Sequence, residues 1–194
     1  MTIAQKYQKS KDGCLSLRFK TTHPDGDAYD GIVVGIKRRF IVLQAENDFE
    51  LDGLMVFPKR VIKGYRDGGF ERCCNKILRD NGQINRLRSP WWLALCNSIP
   101  QVLEELKHRD IWPAVEIVFD DGKDSAFYLG SIESIEKDSF ELFCYSADGE
   151  WEGLYELDYD EIFRIEFNSK YCNYWNAFMK AKDEELTFHA EQLH

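Results

Sequence analysis

Two runs of cations are the first residues of this chain with chemistry to offer. Lys37, Arg38 and Arg39 stand side by side, and Lys59, Arg60 and Lys63 follow further on. Cations held this close neutralise phosphates, and binding by such a group falls steeply as salt rises. An acidic set lies in the second half: Glu136, Asp138, Asp158, Asp160 and Glu161. It suits a basic protein surface better than a divalent cation, because Asp158 to Glu161 lacks the regular oxygen-ligand spacing of a calcium loop.

Other chemically suggestive groups resolve into structure. "THPDGDAYDG" holds His23, Asp25, Asp27 and Asp30, yet "DDGKDSAFYLG" occupies nearly the corresponding place later in the chain, so one turn explains both. Tyr145, Trp151, Tyr155 and Tyr159 form an aromatic set of the kind that cages a methylated ammonium ion, but Leu51 and Met55 fill the places of Trp151 and Tyr155 in the first half, which favours packing. The histidines, His23, His108, His189 and His194, are scattered, and none has a neighbouring Ser or Cys in a nucleophile setting. Cys14, Cys73, Cys74, Cys96, Cys144 and Cys172 form neither a CxxC pair nor a regular framework, which points to buried free thiols. No acid, base and nucleophile set can be assembled and no glycine-rich phosphate loop occurs. The expectation is a protein that is not an enzyme and carries no metal or cofactor.

The elements that position these groups come from a repeat. Leu15, Leu17 and Phe19 match Val115, Ile117 and Phe119 at an offset of 100; Tyr29, Gly31 and Ile36 match Tyr128, Gly130 and Ile135 at 99; Phe40, Gly53, Leu54 and Ile62 match Phe140, Gly153, Leu154 and Ile162 at 100. This spacing predicts a slightly longer first turn in the first copy and one inserted residue at the next hairpin. Each copy reads as five short strands in a meander, in the second "AVEIVFDD", "AFYLGSIESIE", "SFELFCYSA", "EGLYELD" and "IFRIEF". Strands this short close best as a small barrel, since closure removes bare edges. A helix follows each barrel, marked by the stripes Phe70, Cys73 or Cys74, Ile77, Leu78 and Tyr171, Trp175, Phe178, Met179.

The expected organisation is a first barrel plus helix over 1–89 and a linker helix, second barrel and last helix over 90–194. Between the copies, Asn97 or Ser98 before Pro100 predicts a helix over 99–109 with Val102, Leu103 and Leu106 on one face. A unit of this size is marginal alone, so Trp91, Trp92 and Leu95 are expected to dock one barrel on the other. Residues 1–89 carry 17 Lys+Arg against 11 Asp+Glu, and 90–194 carry 8 against 23, so a net charge of −9 conceals halves of +6 and −15. The start has no apolar signal stretch and the longest strongly apolar run is "WWLALC", so the expectation is a cytoplasmic chain with no membrane contact.

The helix at 99–109, "VEIVFDDGK", a glycine strand with "SIESI", a charged turn and "FELFCY" together resemble the Sm-like family, in particular its bacterial host-factor branch. Gly130 and Ile132 stand where that family has its glycine and following apolar residue, and Glu136 where an aspartate is usual. The resemblance covers about 98–167 and, more faintly, 14–66. The base-facing asparagine is replaced around Phe140, and neither "LDYDEIFRI" nor "FPKRVIKGY" has the Arg-Gly step. The resemblance implies two tandem five-stranded barrels, mainly β with flanking helices, whose neighbours join edge to edge, and RNA bound by the turns between strands two and three and strands four and five. Those turns hold Lys37, Arg38, Arg39, Lys59, Arg60 and Lys63 in the first copy and the acidic set in the second. The functional expectation is a tandem binding module acting through protein–protein contacts, with a protein partner or further copies of itself; the alternative is RNA binding by the basic turns.

Overall fold

The structure is a computed structural model. It describes residues 3–26, 28–119 and 122–192, with the side chains of all of these except 3 and 184–192. Asp27 and His194 of the sequence reading lie outside the described residues, as does the side chain of His189.

The chain is rich in β-structure with four α-helices among the described residues. The first half runs α1 (Ile3–Gly13), β1 (Ser16–Thr21), β2 (Ala28–Ile36), β3 (Phe40–Asn47), β4 (Glu50–Pro58), β5 (Ile62–Arg66) and α2 (Gly69–Asp80). The second runs α3 (Ile99–His108), β6 (Ala114–Val118), β7 (Ser125–Ile135), β8 (Ser139–Tyr145), β9 (Trp151–Asp158), β10 (Ile162–Phe167) and α4 (Lys170–Gln192). All ten strands join one antiparallel sheet in the order β5-β1-β2-β3-β4-β10-β6-β7-β8-β9. The order 5-1-2-3-4 therefore occurs twice, and the halves meet where β4 pairs with β10, Leu54, Met55 and Val56 opposite Phe167, Glu166 and Ile165. The hydrogen-bonded ladder is open, ending in β5 and β9.

Alternation in β1 and β10 puts every second side chain inside, whereas β3 is buried along almost its whole length. One core cluster spans both halves: Phe40, Val42, Leu54 and Val56 meet Val115, Ile132, Phe140 and Ile165, with Val102, Leu103 and Leu106 of α3 and Trp92 between them. Ser98 caps α3, its hydroxyl accepting from the Gln101 N–H, as its sequence promised. Gly31 and Gly130 are equivalent positions where β2 and β7 press against the next strand. A Cβ would come within 2.6 Å of the Gln44 carbonyl oxygen at the first and 2.1 Å of the Phe143 carbonyl oxygen at the second. No helix among the described residues is long and apolar enough to cross a membrane.

Several expectations need correcting. Phe19 pairs with Tyr29 and Tyr65 as Val115 pairs with Tyr128 and Ile165, so β1 matches β6 at an offset of 96, not 100. The connection that follows is three residues longer in the second half. A slip of four preserves inward and outward alternation, so periodicity cannot detect it. Gly31 pairs with Ala45 and Gly130 with Cys144, which keeps the offset at 99 through β3 and β8. The inserted residue thus lies between β8 and β9, and alternation was silent because β3 is buried on both faces. Trp92 is buried, but Trp91 and Leu95 are 70% and 64% exposed and do not dock the halves. On the helices Cys74, Leu78, Cys172 and Met179 face inward, while Phe70, Cys73, Tyr171 and Phe178 face solvent. The helix α1 escaped notice because, among its described side chains, only Tyr7 and Ser10 are buried. It packs on β2 as α3 packs on β7, so each half is helix, five strands, helix.

Candidate interface at the joint and the sheet edges

The pairing of β4 with β10 brings the charged turns of the two halves together. Lys37 to Arg39 connect β2 to β3, and Lys59 to Val61 form a 3-10 turn between β4 and β5. Their counterparts, Glu136 to Asp138 and Tyr159 to Glu161, occupy the same two turns of the second half. The backbone closes both pairs alike: the Lys59 N–H donates to the Arg39 carbonyl at 2.8 Å and the Tyr159 N–H to the Asp138 carbonyl at 3.2 Å.

Arg60 crosses between the halves. Its guanidinium donates to the carbonyl oxygens of Tyr159, Asp160 and Ile162 at 3.2, 2.6 and 2.8 Å. Burial there pushes its pKa below that of an ordinary arginine, while the Asp160 carboxylate acts in the opposite sense. Beside it a cleft of about 370 Å³ is lined by Arg39, Arg60, Lys137, Asp138, Asp160 and the start of α3. Lys37 turns elsewhere and donates to the Ala94 carbonyl at 2.5 Å. Arg38 and Glu136 are exposed, Lys59 and Glu161 partly buried. The Tyr159 hydroxyl donates to the Glu136 carbonyl at 2.9 Å and its ring stacks on Phe140.

Lys63 and Asp158 flank these two turns on the outer strands of the sheet. Lys63 lies on β5 and Asp158 at the end of β9, the two ends of the sheet. Along β9, Leu154 and Tyr155 are 58% and 36% exposed, whereas Leu54 and Met55, their counterparts on β4, which is paired to β10, are 2% and 6% exposed. Glu152, Glu156 and Asp158 are exposed on the same strand, and Lys63 and Arg66 on β5.

Sequence reasoning missed a buried polar cluster inside the joint. Arg164 on β10 reaches Glu116 through Nε at 2.5 Å and Glu166 through Nη1 at 2.5 Å. His23 Nε2 lies 2.8 Å from the other Glu116 carboxylate oxygen, the Tyr29 hydroxyl 3.4 Å from Glu116, and Met55 Sδ 3.5 Å from Arg164. The Asp25 N–H donates to His23 Nδ1 at 3.3 Å, which leaves Nε2 to face the carboxylate. Burial works against the Arg164 charge, but Tyr29, Glu116 and Glu166 outweigh it and raise the pKa. Three residues of the first half and three of the second are thereby tied together. The available signal was a pair of opposite charges, Glu116 and Arg164, in apolar strands that pair in register.

The aromatic set does not converge. Trp151 packs on Phe143, Tyr145 and Trp112, while Tyr155 packs on Tyr128. Among the described residues no group of three or more His, Cys, Asp or Glu side chains is placed to hold a metal ion. None of the family models, curated proteins or solved structures compared with the chain matches it. The functional reading therefore rests on geometry.

Proposed function

We propose that this chain is a non-enzymatic tandem small-barrel protein of the Sm-like type that acts through protein–protein contacts along the edges of its sheet. The observation that carries the reading is the joint itself. The strand order of one half is repeated in the other, and the fourth strand of the first pairs with the fifth strand of the second. Each half thus uses an edge to bind a like unit, and β5 and β9 keep the complementary edges. The register shifts at Val33/Gly35 and Ile132/Ser134 and the close strand approach at Gly31 and Gly130 suit two small five-stranded barrels.

RNA binding at the basic turns is the second reading, and it draws on Arg38 and Arg39, which are exposed near the cleft. Against it, Lys37 and Arg60 already donate to main-chain carbonyls. A photoreactive benzophenone side chain installed at position 155 on β9, and separately at position 38, tests both. The expected outcome is a covalent adduct with protein at 155 inside cells and weak retention of a mixed RNA pool on filters. Nucleic-acid adducts at 38 with none to protein at 155, together with steeply salt-dependent RNA retention, would replace the proposal by the RNA reading.

A further inference from the structure

We infer that the groove between α4 and the turn joining β8 to β9 takes the ammonium group of a lysine side chain presented by a partner protein, resting on the protein-contact reading for the source of that lysine. Tyr174, Trp175 and Phe178 of α4 and Asp148 of the turn line the groove, whose volume is about 310 Å³. Ligand pockets run from about 300 to 1,000 Å³, so this one has room for a single side chain and not for a folded element. Tyr174 and Phe178 are 77% and 55% exposed, and Trp175 is half-buried.

The walls of the groove are fixed in place. The Trp175 ring meets Phe178 edge-on at 6.0 Å and lies 6.1 Å from the Tyr145 ring. The Tyr145 hydroxyl donates to Asn176 Oδ1 at 2.8 Å, and Asn176 Nδ2 donates to the Trp112 carbonyl at 2.8 Å, which holds this stretch of α4 to the sheet. Lys182 ties the turn to the helix, its Nζ donating to the Gly149 carbonyl at 2.8 Å and pairing with Glu150 at 2.7 Å. Gly149, in the left-handed region, comes so near Phe178 that a Cβ would stand 2.7 Å from the ring. Glu150 is thus neutralised within the chain. The Asp148 carboxylate beside it is exposed and has no ion-pair partner among the described residues.

Charge selects a cation as the occupant. Ring faces carry the negative end of the aromatic quadrupole, and a carboxylate stands at the rim, so an anion is repelled and an apolar side chain leaves the carboxylate unused. The same surface already holds one such arrangement: the Lys180 ammonium lies 4.6 Å from the centroid of the Trp112 ring and pairs with the Asp110 carboxylate. There one chain supplies ring, carboxylate and lysine. At Asp148 it supplies rings and carboxylate, and both neighbouring lysines of α4, Lys180 and Lys182, are engaged elsewhere. The excess of 23 Asp+Glu over 8 Lys+Arg in residues 90–194 draws a basic segment of a partner toward this half.

Two-dimensional NMR of the full chain, following the Trp175 indole, tests the inference by titration with Nα-acetyl-lysine methylamide, its Nε-trimethyl form and its neutral Nε-acetyl form. Both ammonium forms are expected to bind and shift the indole resonance, and the tighter of them tells whether the partner lysine is plain or methylated. The neutral form should bind about tenfold more weakly, because rings and carboxylate both lose their cation. Tyr174→Leu should weaken binding by about two- to fivefold while Tyr174→Phe stays near wild type, since the ring and not the hydroxyl meets the cation. Asp148→Asn should weaken it by up to about fivefold at low salt, a loss that fades as salt rises. Both positions are exposed, so the variants are expected to fold, which far-ultraviolet circular dichroism checks. Equal binding of the neutral form, a Tyr174→Leu or low-salt Asp148→Asn variant that binds like wild type, or no shift at Trp175 each overturns the inference. Any of these sinks this site alone, and the crosslink at position 155 judges the protein-contact reading separately.

Discussion

Replacing Arg164 by Met tests whether the polar cluster in the joint holds the two halves together. The Arg164 side chain is 15% exposed, and those of Glu116 and Glu166 are 10% and 15% exposed, so water replaces little of what the guanidinium supplies. Removing one partner of a buried ion pair costs about 3–5 kcal/mol, because the remaining charges stay buried without compensation. At roughly 2–4 °C per kcal/mol for a chain of this length, the melting temperature should fall by about 6–20 °C. Scanning calorimetry reads that directly, and urea unfolding gives the free energy. Glu116→Gln alone should also destabilise, and the double variant should lose less than the sum of the singles, because Gln no longer leaves a buried charge behind. If the effects add to within about 0.5 kcal/mol, the two side chains are uncoupled and the account of the joint fails.

Arg60→Met should destabilise the chain by about 1–2 kcal/mol in urea unfolding, since it removes the one nitrogen, Nη2, that donates to three carbonyls of the other half. Gly130→Ala should cost more than about 2 kcal/mol, because the new Cβ meets main chain that cannot step aside, and Gly31→Ala should cost less; equal effects would contradict the closer approach at Gly130. Burial raises the Tyr7 phenol from 10.0 to about 12. The unfolded chain therefore loses that proton first, so stability is full below the ordinary phenol value and declines as pH rises from 10.0 toward about 12; ultraviolet difference titration of wild type against Tyr7→Phe should show one late-ionising phenol.

Much of the strand plan was legible because turns announce themselves. The charged pairs Lys37 to Arg39 and Glu136 to Asp138 do occupy equivalent hairpins, and Ser98 with Pro100 does start a helix. What stayed hidden has a common physical cause. Periodicity reports which face a residue takes and not which neighbour it meets, so the slip of four at Phe19 and Val115 left no trace. Edge pairing between β4 and β10 depends on residues more than a hundred positions apart, and the cluster around Arg164 exists only once that pairing forms.

Tethering both halves in one polypeptide changes the physics of the contact between β4 and β10. Two separate units would find each other by diffusion and part on dilution, whereas joined units meet at an effective concentration fixed by the connecting segment. The inner seam between β4 and β10 therefore forms at any protein concentration.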